Sequence, residues 1–448
     1  MDVIKVGVAL IEPPEGAIGG KPSSERWFNE IESKIKEYLT SYLPDFKFYF
    51  KKIKDYDDVI DFLKEGRDCV GHLILVLNCI TGLLRPLIWS GKPTILIAET
   101  YGGAGDFLLE YPHARERGVP VIGLITRDLC NEIILRKLKL LKVIHQLKNS
   151  RILFIVSPGE RYLMSLEYPL SVDLYSIIRE LQTIAGVNME IMNVKEFIQK
   201  YYSKVKEEAA KVIAKKWIND AEGNLERETE EIIKSAKLYL ALRRAVEERQ
   251  AQAVAVDCIV LRNSGLLDAW PCLSYMELWN DNVIPVCEAD ASSALIMLAM
   301  NYLTGRPGFI ADPSPDNLRD EVVYYHCYAP LTPYGKEDKR CPYIITSAHL
   351  GVKKASVHVK LPVNETVTAV GLSPEERLLV VHVGKAVANE LSEHACATKL
   401  IVKANTKALI RKWRKRAGWH RVIFYGDWRE ELRDLATLLG LRFLEEDE

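Results

Sequence analysis

Paired cysteines, glutamine and a surplus of either charge are all scarce in this chain of 448 residues. Its nine cysteines are odd in number, run from Cys69 to Cys396, and never stand as C-x-x-C. A secreted disulfide framework and a zinc ribbon therefore both lack their pattern, and a reduced, cytoplasmic setting is expected. Lysine plus arginine total 60 against 61 acidic residues, a net charge of -1. That balance offers no general attraction to nucleic acid or to an anionic membrane, so neither is expected as a partner. No apolar run approaches the ~20 residues of a membrane span, and the opening Met-Asp-Val-Ile-Lys-Val lacks the layout of a signal peptide. Only five glutamines accompany the abundant lysine and glutamate, a usage that resembles thermophile proteins.

What is present is the texture of a large globular protein, with 48% apolar and 27% charged residues. At ~150 residues per domain the length allows about three. VIKVGVAL, FKFYFKKI, HLILVLNC, PTILIAE and VPVIGLIT read as buried strands. Helix-like stretches separate them, and Ser23 or Ser24 caps the first, which makes βαβ units and a parallel sheet. The alternation restarts at Arg151 with RILFIVSP, NMEIMNV, VAVDCIVL, VIPVCE and GFIAD, and includes two polar-faced helices. Beyond Pro313 helices thin out, and VVYYHCYAP, YIITSA, SVHVKL, TVTAVGL, RLLVVHVG and TKLIVKA read as an antiparallel sheet or barrel. The expected fold is α/β, with two Rossmann-like α/β/α domains (1–150 and 151–312) and a β-rich, barrel-like domain (313–448).

The most informative stretch is VIPVCEADASSALIMLAMNYLTGRPGFIADP, residues 283–313. Glu288 follows one strand, Asp312 follows the next, and an apolar helix from about Ser292 to Leu303 joins them. A strand–helix–strand unit of this kind predicts parallel neighbours about 4.8 Å apart, with both carboxylates at the carboxyl edge of one sheet. Paired carboxylates suit a hard divalent cation such as Mn²⁺ or Mg²⁺, or proton transfer. Acidic residues after strands also serve as helix caps and turn formers, so spacing alone leaves both readings open.

The C-E-A-D run, the apolar helix, L-T-G-R-P and F-I-A-D resemble the L-fucose isomerase family and, more distantly, the L-arabinose isomerases. Gly418-Trp419-His420-Arg421-Val422-Ile423-Phe424-Tyr425-Gly426 is similar to that family's C-terminal G-(N)-H-x-x-x-x-Y-G segment. HCYAP (326–330) and the ACATKLIVK run at Cys396 extend the likeness over about the last 200 residues. The resemblance implies an aldose–ketose isomerase of L-fucose, D-arabinose or a related sugar. It further implies Mn²⁺ held by Glu288, Asp312 and His420, with the two carboxylates sharing proton transfer through an enediol. The family's sites are built between subunits, which implies a homotrimer or homohexamer. The family commonly has Asn where this chain has Trp419, a departure at a sugar-hydroxyl contact. That departure fits an isomerase of an atypical acidic or modified sugar. A sugar-binding or regulatory protein on the same fold is the remaining alternative.

Further substrate candidates are His326, Trp419 and Asp257, with Asn263 on the rim. Asp290 caps the following helix in this reading. The Gly-rich turns EPPEGAIGGKPSS and AETYGGAGDF join strands to helices without forming G-x-G-x-x-G, so no dinucleotide cofactor is expected. Lys21 and Tyr101, in those turns, are placed over a neighbouring subunit's site by the resemblance. TKALIRKWRKRAGWHR interleaves cations with Trp413 and Trp419. It reads better as an amphipathic helix with Leu409, Ile410 and Trp413 inward than as an RNA contact.

Overall fold

A computed structural model describes residues 3–12, 25–79, 82–159, 174–225, 228–346 and 355–448. Ser23, Ser24 and Lys21 lie outside them. The chain divides into two compact units, Met1–Gln146 with Glu430–Arg442, and Leu147–Arg429 with Phe443–Glu448. Among the described residues no helix is long and apolar enough to cross a membrane.

The first unit is built on five parallel strands: β1 (Ile4–Ile11), β2 (Phe46–Ile53), β3 (Gly71–Val76), β4 (Thr94–Glu99) and β5 (Val121–Thr126). Their order is β2-β1-β3-β4-β5. β3 is buried at every position, as its unbroken GHLILV requires of a strand covered on both faces. The helix Arg429–Leu438 returns from the far end of the chain to this unit, where Lys137 pairs with Asp434 at 2.6 Å.

The second unit opens with another parallel sheet. Its strands are β6 (Arg151–Val156), β7 (Asn188–Asn193), β9 (Ala253–Val256) and β10 (Ile284–Val286), in the order β10-β9-β6-β7. A two-residue β8 (Gly223–Asn224) lies outside it. The first polar helix expected here is two, Val194–Lys200 and Glu207–Asp220; the second runs Thr229–Arg249.

The remaining strands pair mostly antiparallel. They are β11 (Phe309–Asp316), β12 (Glu321–His326), β13 (Tyr343–Thr346), β14 (Ser356–Val359), β15 (Thr366–Ser373), β16 (Leu378–Asn389), β17 (Thr398–Lys403), β18 (Arg421–Tyr425) and β19 (Arg442–Glu445). Of these, β13 pairs parallel with β8. The order β15-β18-β11-β12-β17-β16 closes through a β15–β16 pairing, so the sheet is a barrel, with β19 added beside β16. Strand β16 manages both contacts by its length, pairing β15 over Leu378–Lys385 and β17 over Lys385–Asn389.

Two expectations need correction. YIIT and SVHV do not join the barrel; as β13 and β14 they form a separate small sheet with β8. GFIAD is not the next parallel strand after β10. It opens β11, which runs on to Asp316 and pairs antiparallel with β12 and β18. A short apolar strand fits either a parallel sheet or a barrel wall, so composition does not choose between them.

Candidate functional site

Although β10 and β11 lie in different sheets, Glu288 after β10 and Asp312 on β11 both face His420. Glu288 follows β10 in a single turn with φ 56°, and Ala289 follows at φ 51°. Two successive non-glycine residues in the left-handed region are uncommon and cluster at functional sites. The strand ends below are clamped by tyrosines. Tyr275 Oη accepts from Val256 N at 3.0 Å and donates to Val286 O at 2.9 Å, tying β9 to β10. Tyr328, within HCYAP, donates to Pro285 O at 3.0 Å.

Asp290 begins the helix Ala291–Thr304 and accepts from Ser293 N at 3.0 Å and Ser293 Oγ at 2.6 Å, the capping role expected of it. It does a second thing that spacing did not show: its Oδ2 lies 2.9 Å from His420 Nδ1. That contact leaves His420 Nε2 facing Glu288 Oε2 at 3.6 Å and Asp312 Oδ1 at 3.4 Å. Asp312 reaches this point because Ala311 pairs with Arg421 across β11 and β18, which brings the following Asp312 beside the preceding His420. His326, at the end of β12, places Nε2 3.7 Å from Glu288 Oε1, and its ring meets that of His420 edge-on at 5.3 Å. Asp312, His326 and His420 each offer a ligand atom within 4.8 Å of the others. Cys287, Glu288 and His326 do the same.

The electrostatics follow from the crowding of carboxylates. Burial opposes charge on His420, but the Asp290 hydrogen bond and the Glu288, Asp290 and Asp312 charges raise it to about 10. Burial likewise opposes ionisation of Asp290, yet His420 and Ser293 hold it at about 2. Asp312 is raised, because burial outweighs the attraction of His420 and His326. A hydrogen bond with Cys258 and complete burial push the Cys287 thiol well up.

The other candidates lie apart from this convergence or at its edge. Trp419 is 48% exposed and donates from Nε1 to Pro313 O at 3.4 Å, beside Asp312. Asp257 is buried at the carboxyl end of β9, before the short helix Cys258–Asn263 that ends at Asn263. Tyr101 belongs to the first unit. There it stacks under Arg127 at 5.2 Å and lines a cleft of about 750 Å³ with Trp27, Tyr38 and Asp128. The basic segment ends its helix at Lys412; Leu409 is buried, but Ile410 is 48% exposed, contrary to the inward stripe expected. Asp290's grip on His420 escaped the sequence because 130 positions separate the two.

No protein-family model matches the chain. It is 28% identical over 280 residues to a sulfoquinovose isomerase of Clostridium sp. (strain MSTE9), covering 58% of this chain and 59% of that protein. It is 23% identical over 282 residues to sulfoquinovose isomerases of Priestia aryabhattai and Priestia megaterium, covering 58% of each partner. The chain thus spans 58% to 59% of the length of the curated relatives it matches.

Proposed function

We propose that the protein is a metal-dependent aldose–ketose isomerase whose substrate is a sulfonated sugar such as sulfoquinovose. The single observation carrying this reading is that Glu288 and Asp312 face His420 Nε2 at 3.6 and 3.4 Å, with His326 Nε2 at 3.7 Å from Glu288. The residues fit a hard divalent ion of the Mn²⁺ type. Two carboxylates and two imidazoles are a suitable donor set. His326 Nδ1 is moreover a buried polar atom with no hydrogen-bond partner among the described residues. When bound, such an ion would polarise the oxygens on C1 and C2 of an open-chain sugar.

The chain's own groups divide the remaining work. Asp290 fixes the His420 ring, so that one nitrogen faces the two carboxylates. Glu288 takes the proton from C2 of the aldose and returns it to C1 of the resulting cis-enediol. Asp312, facing the same imidazole at 3.4 Å, serves the oxygen protons. The sulfonated substrate rests on the relatives' names, and the Trp419 departure accords with a modified sugar. L-fucose and D-arabinose are the substrates of the motif resemblance. Assembly as a trimer or hexamer, with Lys21 and Tyr101 over a neighbour's site, belongs to the same reading.

The deciding experiment follows ketose formation from sulfoquinovose, L-fucose and D-arabinose after chelator treatment and Mn²⁺ replacement. Turnover restored by Mn²⁺ and lowered about a thousandfold in Glu288→Gln is expected. Full activity without metal, or an unimpaired Glu288→Gln, sinks the reading. A sugar that binds without conversion instead favours a binding protein.

A further inference from the structure

Tyrosines near the candidate site spend their hydroxyls on the protein itself, as buried phenols usually do. Tyr275 donates to Val286 O, Tyr328 donates to Pro285 O, and Tyr324 hydrogen-bonds His382. Tyr325 differs. It lies on β12 directly opposite Asp312 of β11, so the two side chains rise from the same face of the barrel wall. Such cross-strand partners stand about 4.5–5.5 Å apart at Cβ. Burial, and then the Asp312 charge, push the phenol up, so Oη keeps its proton. The side chain is half-buried, and its Oη has no hydrogen-bond partner among the described residues. The register extends the row to both sides. Ala311 pairs with Arg421, which brings His420 beside Asp312, and Tyr325 pairs with Lys399 of β17. Lys399 is 2% exposed and donates to Ser392 O at 3.1 Å and to Cys396 O at 2.8 Å. Lys399 is thus tied to its own loop, and Tyr325 is the donor of this row that stands open beside Asp312.

We propose that Tyr325 binds the substrate, its Oη donating a hydrogen bond to the oxygen of a sugar hydroxyl at C3 or C4. The inference rests on the isomerase reading, in which C1 and C2 lie against Glu288, Asp312 and His420. One strand spacing, ~4.8 Å, separates Asp312 from the next strand of the row, so the hydroxyls that follow C2 are the ones Tyr325 meets. A phenol is a neutral donor, and it reads the position of a hydroxyl without adding charge to a site crowded with carboxylates. A site with a donor aimed at a hydroxyl discriminates against a sugar lacking it, because the donor is then left unpaired. Tyr325 is therefore a specificity residue and takes no part in the proton transfer.

Tyr325→Phe removes Oη and keeps the ring, so the melting temperature and the Mn²⁺ affinity should stay at the parent's values. KM for the aldose that the protein converts best should rise about two- to tenfold, the worth of one hydrogen bond, with kcat nearly unchanged. The 3-deoxy and 4-deoxy analogues of that aldose locate the contact: with one of them, parent and Tyr325→Phe should show the same KM. An unchanged KM for the full sugar, or a gap that persists with both analogues, overturns the contact. A loss of Mn²⁺ affinity in step with KM overturns it too, since the hydroxyl would then act through the metal ligands. Protein that binds a sugar without converting it removes the isomerase reading alone. Calorimetry then reads the contact: weaker binding in Tyr325→Phe supports it, and equal dissociation constants overturn it. A parent that binds no sugar overturns both.

Discussion

His420 and Arg421 stand side by side at the start of β18, and the buried charges on their two sides are organised differently. Arg421 enters the barrel and is fully buried with Glu446, to which it donates from Nε at 3.1 Å and from Nη2 at 2.8 Å. His382 adds its Nδ1 at 3.2 Å from the same carboxylate, and Tyr324 hydrogen-bonds the other nitrogen of His382. Trp413 stacks on the guanidinium at 3.8 Å. Gly371 leaves room for it, since a Cβ there would stand 2.9 Å from Arg421 Nη1. One cation meets one anion, and the donors and acceptors are used up. Around His420, by contrast, the three carboxylates of Glu288, Asp290 and Asp312 face one imidazole, and the ring of His326 faces Glu288 as well. A matched pair closes on itself and serves the fold. An excess of carboxylates held in place by caps and strand ends leaves charge unmatched, as the metal-dependent reading proposed above requires.

The largest way to break this comparison is to unmatch the matched side. Glu446→Ala leaves Arg421 buried without its anion and is expected to cost about 3–5 kcal/mol in unfolding free energy. Replacing both partners, as Arg421→Met with Glu446→Leu, should recover most of that loss, because two apolar groups leave no orphaned charge. Denaturant midpoints decide; a Glu446→Ala protein as stable as the parent would show that the pair does not hold the barrel.

A buried histidine with no carboxylate beside it sharpens the contrast from the other direction. His72 on β3 is fully buried, and burial together with the nearby Lys92 lowers it to about 4, where His420 is raised to about 10. The folded value lies below the unfolded ~6.5, so the neutral ring belongs to the folded state. Its contribution is fully present above about pH 6.5 and is lost as pH falls toward 4, in all roughly 3 kcal/mol. Denaturant midpoints across that window should slope less in His72→Leu. An identical acid limb in parent and variant would remove His72 as its source.

Asp290→Asn probes the unmatched side with a smaller effect. Asparagine caps helices as well as aspartate does, so the helix start should survive, while loss of the buried charge paired with His420 should lower the melting temperature of the metal-free protein. Loss of the carboxylate that orients His420 should weaken Mn²⁺ binding about 10- to 100-fold. Equal affinity by calorimetry in parent and variant would leave Asp290 as a cap alone.

The two sides also differ in how far the sequence discloses them. The α/β layout and the barrel were legible, because continuous apolar strands and alternating ones differ in pattern. Glu288, Asp312 and His420 stood out through a motif resemblance, and the structure brings them together. It does so by another route than the parallel neighbours expected, since β11 crosses into the barrel. His326 was visible only as a histidine in a tyrosine-rich strand; nothing local tells that its ring meets His420. In the acidic tail, Glu446 is buried, and its partner Arg421 sits 25 positions away. A charge run reports composition, whereas burial of one member depends on a strand, β19, that only the closed barrel creates a place for.

Trp419 carries the smallest effect and the one that bears on substrate choice. Its ring is half exposed, and its Nε1 donates to Pro313 O, on the residue after Asp312. A flat apolar wall suits the C–H face of a sugar, whereas an amide would hydrogen-bond one hydroxyl. Trp419→Ala should therefore raise KM by up to about tenfold, from a contact of roughly 0.5–1.5 kcal/mol, with kcat nearly unchanged. Trp419→Phe should keep most of the affinity. Because the side chain is exposed, stability should change by less than about 0.5 kcal/mol in either variant. Trp419→Asn restores the residue type common in the resembled family and should move the ratio of kcat/KM values toward L-fucose or D-arabinose. A drop in kcat with KM unaltered would instead place the indole in the proton transfer, and an unchanged ratio in Trp419→Asn would remove it from substrate choice.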